Sequence, residues 1–582
     1  MSPRPADNTI SLAEAKRQQQ ASDQAEIPAP SPGEGVIPLG HDKGIYFYLS
    51  RAGKQITGLK ADQHTRLALC GLASGTQFWE RQPHLRTDKG TLDWGLAADW
   101  LMDLCRKRGI YDPDIVRGRG AWVDGERSVL HLGDKLIVDG APQALDLAGS
   151  GFVYEAARAL KLPAEVPLDV LDARKLLKIT AALRWEKPVS AKLLAGWIAI
   201  APICGAMAWR PSVWLTGPAG SGKTWIGENI IAPTVGPLAV TVQSKTSEAG
   251  LRQMLGSDAR PVLFDEAERE DQASAARMQQ VLDLVRQATS ESGAEIVKGS
   301  ANQTGARRYR IRSAFLFQSI NVGLQHQADE SRVTILALRD GGRKPSEVDV
   351  QSFNDLKVWV AETLTPAFSA ALVARSVRLI PTIRASAEVF AQAVAATVGT
   401  RRQGDQLGTL LAGAWSLNSD SVVTPEQARA YVTKEEFAET IEANDDGDDL
   451  RCLRHLLAHR IRISGSEYPI GALIEAVRFA GYERPSGMLS ADAAHQALRF
   501  AGIAVKERSR TEPRIGLFVS TNHPDIRRAL RETPWDAGWA RTLARIEGAE
   551  SGRGVVCRYT STSMSKAVWI PIEVIEGDAS NA

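Results

Sequence analysis

Cysteine is scarce in this chain of 582 residues. Five are present, Cys70, Cys105, Cys204, Cys452 and Cys557, with no C-x-x-C pair and an odd total. That pattern excludes a disulfide framework and a zinc ribbon, and it fits a reducing compartment. Excess charge of one sign is also missing. Seventy Lys and Arg against 68 Asp and Glu leave a formal charge of +2, so composition implies no nucleic-acid partner and any basic surface must be local. No uninterrupted run of about 18 apolar residues stands out, and the N-terminus has no signal-peptide core. The expected location is therefore the cytoplasm, with no membrane partner. What remains, 44% hydrophobic and 24% charged residues, is ordinary for a globular protein, and the length predicts roughly three or four domains.

The most informative stretch is Val213-Trp-Leu-Thr-Gly-Pro-Ala-Gly-Ser-Gly-Lys-Thr-Trp-Ile226. Four strand-like residues run into Gly217, Pro218, Ala219, Gly220, Ser221, Gly222, Lys223 and Thr224, which fit G-x-x-x-x-G-K-[ST] in full. A helix-like segment follows, so the motif has the strand-to-helix context that a phosphate-binding loop needs. Glycines let backbone N–H groups converge on phosphates, and the helix N-terminus adds positive potential. Lys223 is expected to reach the β- and γ-phosphates of ATP, and the Thr224 hydroxyl to hold Mg²⁺. About 40 residues on, the apolar strand Pro261-Val-Leu-Phe-Asp-Glu266 ends in two carboxylates. Asp265 suits the Mg²⁺ shell and Glu266 suits a base that polarises water.

Further along, Ala294–Gly299 and Ala306–Ile311 flank a polar stretch and predict a β-hairpin rich in cations, Lys298, Arg307, Arg308 and Arg310. Such a hairpin could track a nucleic-acid backbone or simply be solvated. The strand Ala314–Asn321 ends in a polar residue, and Asn321 fits a sensor of γ-phosphate or water, with Ser319 as the alternative. Arg332 stands just before the apolar strand Val333–Leu338. It could stabilise charge on a neighbouring subunit's transferring phosphoryl group or pair locally with Asp329 or Glu330.

This order of elements resembles that of AAA+ ATPases, and the basic hairpin before the sensor strand resembles superfamily 3 helicases. Arg117-Gly-Arg-Gly-Ala-Trp122, His131-Leu-Gly133, Trp209-Arg-Pro211 and Asp405–Gly413 also look like the helicase part of phage and prophage primase–helicase proteins. The resemblance implies an α/β fold with an AAA+ P-loop core and a helical lid. It further implies a ring-forming, hexameric ATPase that moves on DNA, single-stranded in a central channel, during replication of a mobile element. A primase or other replication protein would be a partner. A loader-type or regulatory ATP switch is the alternative.

The expected domains are a disordered arm (1–35), a mixed α/β N-terminal domain (36–165), the ATPase core with helical lead-in (166–345), the lid (346–440), an acidic linker (441–449) and a winged-helix-like C-terminal domain (450–582). Within the first of the folded parts, Leu96, Trp100, Leu101 and Leu104 are expected on one helix face, and Arg117 and Arg119 are expected to pair with carboxylates rather than DNA. Arg375, Arg378, Arg401 and Arg402 are candidates for a second phosphate sensor. Arg508, Arg510 and Arg514 are expected in or near the wing.

Overall fold

A computed structural model describes residues 35–73, 75–161, 163–243, 245–265, 267, 272–290, 296–299, 306–324, 327–340, 347–433, 437, 447–478, 489–509, 513–531, 533, 535–536, 538–552, 554–559 and 564–575. The chain is a mixed α/β protein with several sheets. It divides into two compact units, Met1–Gly323 with Ser331–Glu436, and Leu324–Glu330 with Phe437–Ala582.

The first unit begins with an antiparallel sheet, Val36–Asp42, Ile45–Ser50 and Ile56–Lys60. The helix Trp94–Arg108 covers it, capped by Asp93, whose carboxylate accepts from Gly95 and Leu96 N–H. Its buried face is Ala97, Ala98, Leu101, Met102 and Cys105. Leu96, expected inward, is 44% exposed. The small Ala97 and Ala98 turn inward instead, and they let the helix approach the sheet more closely than a leucine would.

A four-stranded meander follows, Gly120–Asp124, Arg127–His131, Leu136–Val138 and Ala141–Gln143. Its approach to residues 257–260 is tight enough to require glycine. A Cβ on Gly118 would lie 2.5 Å from an Asp258 carboxylate oxygen, and one on Gly120 would lie 2.2 Å from the Ala259 carbonyl oxygen. Asp258 is gripped by Arg119 through its backbone N–H (2.7 Å), Nε (2.9 Å) and a terminal nitrogen (2.6 Å). Arg117 is buried between the Trp122 and Phe152 rings, 4.8 and 3.8 Å from their centroids. Arg119 thus pairs with a carboxylate as expected, whereas Arg117, expected to do the same, lies between aromatic faces and donates to the Asp114 and Val116 carbonyls.

The centre of the unit is a five-stranded parallel sheet of β1 Ser212–Thr216, β2 Val240–Gln243, β3 Val262–Asp265, β4 Phe315–Ser319 and β5 Val333–Ala337, in spatial order β2-β3-β4-β1-β5. All five residues of β1 are buried. Helices α1 Val189–Ile200, α2 Pro366–Arg378, α3 Ile380–Val398 and α4 Arg401–Ser416 pack in the same unit. The segment Val189–Ala206 is long and apolar enough to cross a membrane by composition, yet it is 89% buried inside the protein.

Glycines explain the closeness of the helices. A Cβ on Gly196 of α1 would sit 1.9 Å from the Leu410 carbonyl oxygen, and one on Gly413 of α4 would sit 2.3 Å from the Gly196 carbonyl oxygen. Gly408 meets the Ala391 backbone of α3 in the same way, at 2.5 Å. Between α4 and the sheet lies buried Gln406. It accepts from Trp209 Nε1 at 2.9 Å and donates to the Ser212 carbonyl (2.8 Å) and the Thr334 hydroxyl (3.0 Å).

The second unit contains helix α5 Asp448–Ala458, the hairpin Arg460–Ile463 with Ser466–Pro469, helices Ile470–Arg478 and Ala491–Phe500, and a sheet built on Ile503–Glu507, Ile515–Ser520, Met564–Pro571 and Val556–Arg558. Asp448 and Asp449, expected in a linker, open α5 instead, and the Asp448 carboxylate accepts from Trp535 Nε1 at 2.9 Å. Arg508 and Arg514 lie at the turn between the first two sheet strands. Both guanidinium groups stand over Trp569 (6.0 and 5.1 Å) and face Glu550 (2.7 and 3.8 Å). Arg510 lies outside the described residues.

Two outcomes follow. Gly196→Ala should destabilise the first unit by about 2–3 kcal/mol, because the clash is with backbone that cannot yield. Gly538→Ala, where an added Cβ meets nothing within 4 Å, should leave the thermal midpoint unchanged. His131 is fully buried and stacked on Tyr154. Burial, with Arg119 nearby, pushes its pKa down to about 4. Only the unfolded chain then takes up the proton between the two pKa values. Stability should be full above pH ~6.5 and fall by about 3 kcal/mol as pH drops toward 4. Urea midpoints at pH 7.5 and 4.5 should show this loss, and His131→Phe should remove it.

Candidate nucleotide-binding site

In a parallel sheet, loops at the carboxyl ends of the strands form the ligand edge, most of all where the strand order reverses. Here β1 lies between β4 and β5 while its own chain leaves for the far edge at β2, so the loop after β1 sits at that reversal. That loop is 217–222. Gly220 and Gly222 have φ of +82° and +94°, a region that side chains with a Cβ avoid. At Gly217 a Cβ would lie 2.8 Å from Ser221 Oγ and 2.9 Å from the Leu338 carbonyl oxygen. Pro218, Ala219 and Gly220 are exposed, whereas β1 beneath them is buried.

Lys223 begins the following helix and folds back over the loop, donating to the carbonyls of Gly217 (2.5 Å) and Pro218 (2.9 Å). These contacts hold the ammonium where phosphates would lie against the loop. Thr224 is exposed on the same first turn. After Ile226 the helix widens into a π-turn, Gly227–Ile231, a feature frequent at functional sites.

The ladder aligns the other candidates along the same edge. Leu215 pairs with Gln318 and Thr216 with Ser319, while Phe264 of β3 pairs with Phe317 of β4. Asp265, exposed at the end of β3, thus reaches the edge one strand away from the loop, with β4 between them. Glu266 lies outside the described residues. Ser319 is buried and committed. Its Oγ accepts from Trp214 Nε1 at 2.7 Å and donates to the Asn321 carbonyl at 2.6 Å. Asn321 is exposed beyond it. Of the two sensor candidates, Asn321 is the one whose side chain can meet a ligand.

Thr224 and Asp265 offer one hydroxyl and one carboxylate, a donor set that suits Mg²⁺, which keeps several waters and takes phosphate oxygens as further ligands. Among the described residues no group of three or more His, Cys, Asp or Glu could hold a metal by itself.

Arg332 is elsewhere. It immediately precedes β5, whose first residue Val333 pairs with Ser212, the first residue of β1. It therefore stands at the edge opposite the loop, about 17 Å away along a five-residue strand.

The remaining arginines divide in the same way. Arg375, considered as a second sensor, is 1% exposed and saturated by the carbonyls of Ser416 (2.9 and 2.7 Å) and Leu168 (3.0 Å) and by Asp420. Arg378 pairs with Asp420 at 2.6 Å. Arg401 and Arg402 lie one turn from Gln406, which is bonded to Ser212 at the edge away from the loop. None of the four is placed to touch a nucleotide on this chain's own loop.

The basic hairpin is present as Ile296–Gly299 paired with Ala306–Tyr309, with Lys298 opposite Arg307 and Val297 opposite Arg308. Its tip, 300–305, and the side chains of Lys298, Arg307 and Arg308 lie outside the described residues. Arg310, at the foot, faces Asp114 at 3.6 Å, and Arg312 stands 5.6 Å from the Trp122 ring centroid. Arg310 thus serves as an anchor for the hairpin rather than a contact at its tip.

Sequence reasoning missed an aromatic pair behind the loop. Trp225 makes an edge contact with Phe353 (5.1 Å) of helix Glu347–Thr363, and Lys357 stands 4.6 Å over Phe353. The position of Trp225, directly after Thr224, was the available signal; Phe353 had none.

Ser319→Ala should cost about 1–3 kcal/mol, since it strands the buried Trp214 N–H and frees the chain at Asn321. Thermal unfolding of the variant measures this, and Ser319→Thr should recover part of the loss.

No protein-family model matches the chain, and no curated protein matches it. Among solved structures, the chain is similar to the apo structure of the NrS-1 C-terminal region (305–718), at 10% identity over 76% of this chain and 98% of that one, with a TM-score of 0.28. Two A-form apo structures of the same region match at 9% identity and a TM-score of 0.27, covering 74% and 73% of this chain and 95% and 96% of theirs. Likeness at this level carries no weight for activity.

Proposed function

We propose that this protein is an AAA+-type ATPase that hydrolyses ATP with Mg²⁺ and acts as a ring-forming DNA helicase or translocase in replication of a phage-like or integrated element. The observation that carries the reading is the clustering of a complete phosphate-binding loop, Asp265 and Asn321 at one edge of a single parallel sheet. Elements at one edge can meet one nucleotide.

In this reading the backbone N–H groups of 217–222 hold the phosphates, and Lys223 exchanges its loop carbonyls for β- and γ-phosphate oxygens. Thr224 and Asp265 would hold Mg²⁺, which supplies charge neutralisation on the phosphates when bound. Glu266 accepts a proton from the attacking water, and Asn321 orients that water against the γ-phosphate. Trp225 and Phe353 form an apolar pair beside the loop helix.

The position of Arg332 supports an oligomer. From the far edge of the sheet it cannot serve its own nucleotide, but it can serve one bound to a neighbouring copy, where it would stabilise developing charge. A ring, hexameric by resemblance, supplies such a neighbour to every subunit. The ladder sets Lys298 and Arg307 at one rung of the hairpin. By the resemblance to helicases with a basic hairpin before the sensor strand, Lys298, Arg307 and Arg308 are assigned to the DNA backbone. The lid assignment keeps 346–440, of which helix Glu347–Thr363 adjoins the loop helix. The helix order and strand pair of the second unit support a winged-helix-like module.

Steady-state ATPase activity with and without single-stranded DNA tests this. Lys223→Ala and Arg332→Ala should each lower kcat by about 100-fold or more, and mixing the two inactive proteins should restore part of the activity. DNA should stimulate the wild type. Without stimulation and without rescue the motor reading falls, and a nucleotide switch that does not unwind DNA takes its place.

A further inference from the structure

Cations in the second compact unit fall into two kinds. Some are committed within it. Arg499 donates to the Arg558 carbonyl at 2.9 Å, Lys506 lies 4.6 Å over the Phe518 ring, and Arg508 and Arg514 share Glu550. The helix Ala491–Phe500 exposes Asp492, Gln496 and Phe500 rather than positive charge. A second group stands on three segments that meet: the end of α5, the start of the hairpin strand Arg460–Ile463, and the helix Pro524–Ala529 with the turn after it. His455 Nε2 meets the Ala529 carbonyl at 3.3 Å, which joins α5 to that helix. His459 and Arg460 follow α5 directly. Ile526, Ala529 and Leu530 are buried, so the opposite arc of the helix and its turn carries Arg527, Arg528 and Arg531 to solvent.

We infer that this face, formed by His455, His459, Arg460, Arg527, Arg528 and Arg531, docks the phosphate backbone of duplex DNA. Among the described residues no carboxylate pairs with Arg460, Arg527 or Arg531, and Arg460 has Pro469 opposite it in the hairpin. The carboxylate that bears on His459 is Asp525, already held by Arg528 at 2.8 Å. Burial pushes the His459 pKa down, and His455 and Arg528 push it the same way, outweighing Asp525. In a chain with a formal charge of +2, positive charge left uncancelled on one face is a local attraction for a polyanion. Guanidinium forks match phosphate oxygens, and such contacts position a duplex without reading its sequence. Single strands are held instead by bases stacked on aromatic rings. The aromatic that borders this face, Trp535, is engaged by the Asp448 carboxylate at 2.9 Å and packs on His455, so the face fits a duplex. The choice of DNA over RNA rests on the motor reading above; the cationic face does not.

Fluorescence anisotropy on the full-length protein tests this, using a labelled DNA duplex and a single strand of equal length, without ATP, over a series of salt concentrations. Arg460→Gln, Arg527→Gln and Arg531→Gln combined should weaken duplex binding by about 10-fold or more. They should also lower the slope of log Kd against log salt by about 2–3, close to one phosphate contact per guanidinium. A control that removes three exposed cations of the first unit, Lys43→Gln, Arg106→Gln and Lys107→Gln, should cost less than about 2-fold. All six side chains are exposed, so thermal midpoints should match wild type; should the first triple fail to fold, Arg527→Gln with Arg531→Gln decides by the same two readouts. Unchanged duplex affinity, a loss no larger than the control's, or a wild type that binds no duplex in low salt overturns the proposal. An equal loss on single strand overturns the duplex assignment, and a loss confined to duplex RNA or to vesicles of anionic lipid overturns the DNA one. Because no ATP is present, the result is separable from the motor reading. A chain that hydrolyses nothing still shows the duplex loss if the face is right, and a DNA-stimulated ATPase whose duplex binding ignores the triple change removes this face alone.

Discussion

Trp214 sits at the middle of a strand with neighbours on both sides, and its indole N–H must find an acceptor without water. Ser319 supplies one from β4 at 2.7 Å, then passes its own proton to the Asn321 carbonyl at 2.6 Å. A second hydroxyl, Thr216, donates to the Ile320 carbonyl at 2.7 Å. The parallel ladder sets the register of β1 and β4 only as far as Thr216 and Ser319. Beyond that rung the two strands diverge, one into the glycine-rich loop 217–222 and one toward Asn321. The two hydroxyl bonds extend order past the end of the ladder, so the separation of loop and sensor is set by buried side chains. Leaving such a group unsatisfied costs about 1–3 kcal/mol, ample reason for the geometry to persist without a nucleotide.

Local chemistry made this edge legible. A loop that needs left-handed glycines and a helix behind it can be seen in eight consecutive residues, and an apolar run ending in a carboxylate marks a strand reaching the same edge. What depends on distant partners could not be seen. Arg375 looks like a mobile cation in sequence, but its role is set by carbonyls at positions 168 and 416. Trp209 and Gln406 become meaningful only as a pair that locks α4 to the start of β1. The face of helix Trp94–Arg108 was misjudged by one position, because the periodicity of large residues does not reveal that alanines take the closest approach.

The same long-range packing bears on how force could travel. The foot of the hairpin is tied by Arg310 to Asp114, in the turn ahead of the meander, and Arg312 stands against Trp122 within the meander. The meander in turn is clamped at Asp258 by Arg119, four residues before the start of β3. Side-chain contacts thus run from the approach to β3 through the meander to the hairpin foot. The tight approaches at Gly118, Gly120 and Gly205 leave no compressible gap in that path, and close-packed interiors transmit strain rather than absorb it.

The two edges of the sheet impose a division of labour. The glycine-rich loop, Asp265 and Asn321 lie at the carboxyl edge and Arg332 at the amino edge, separated by the length of β5. A monomer cannot fold so that both ends of one parallel strand meet at one phosphate. In the proposed ring, head-to-tail association would bring the amino edge of one copy to the carboxyl edge of the next, and closure would give each site the same partner.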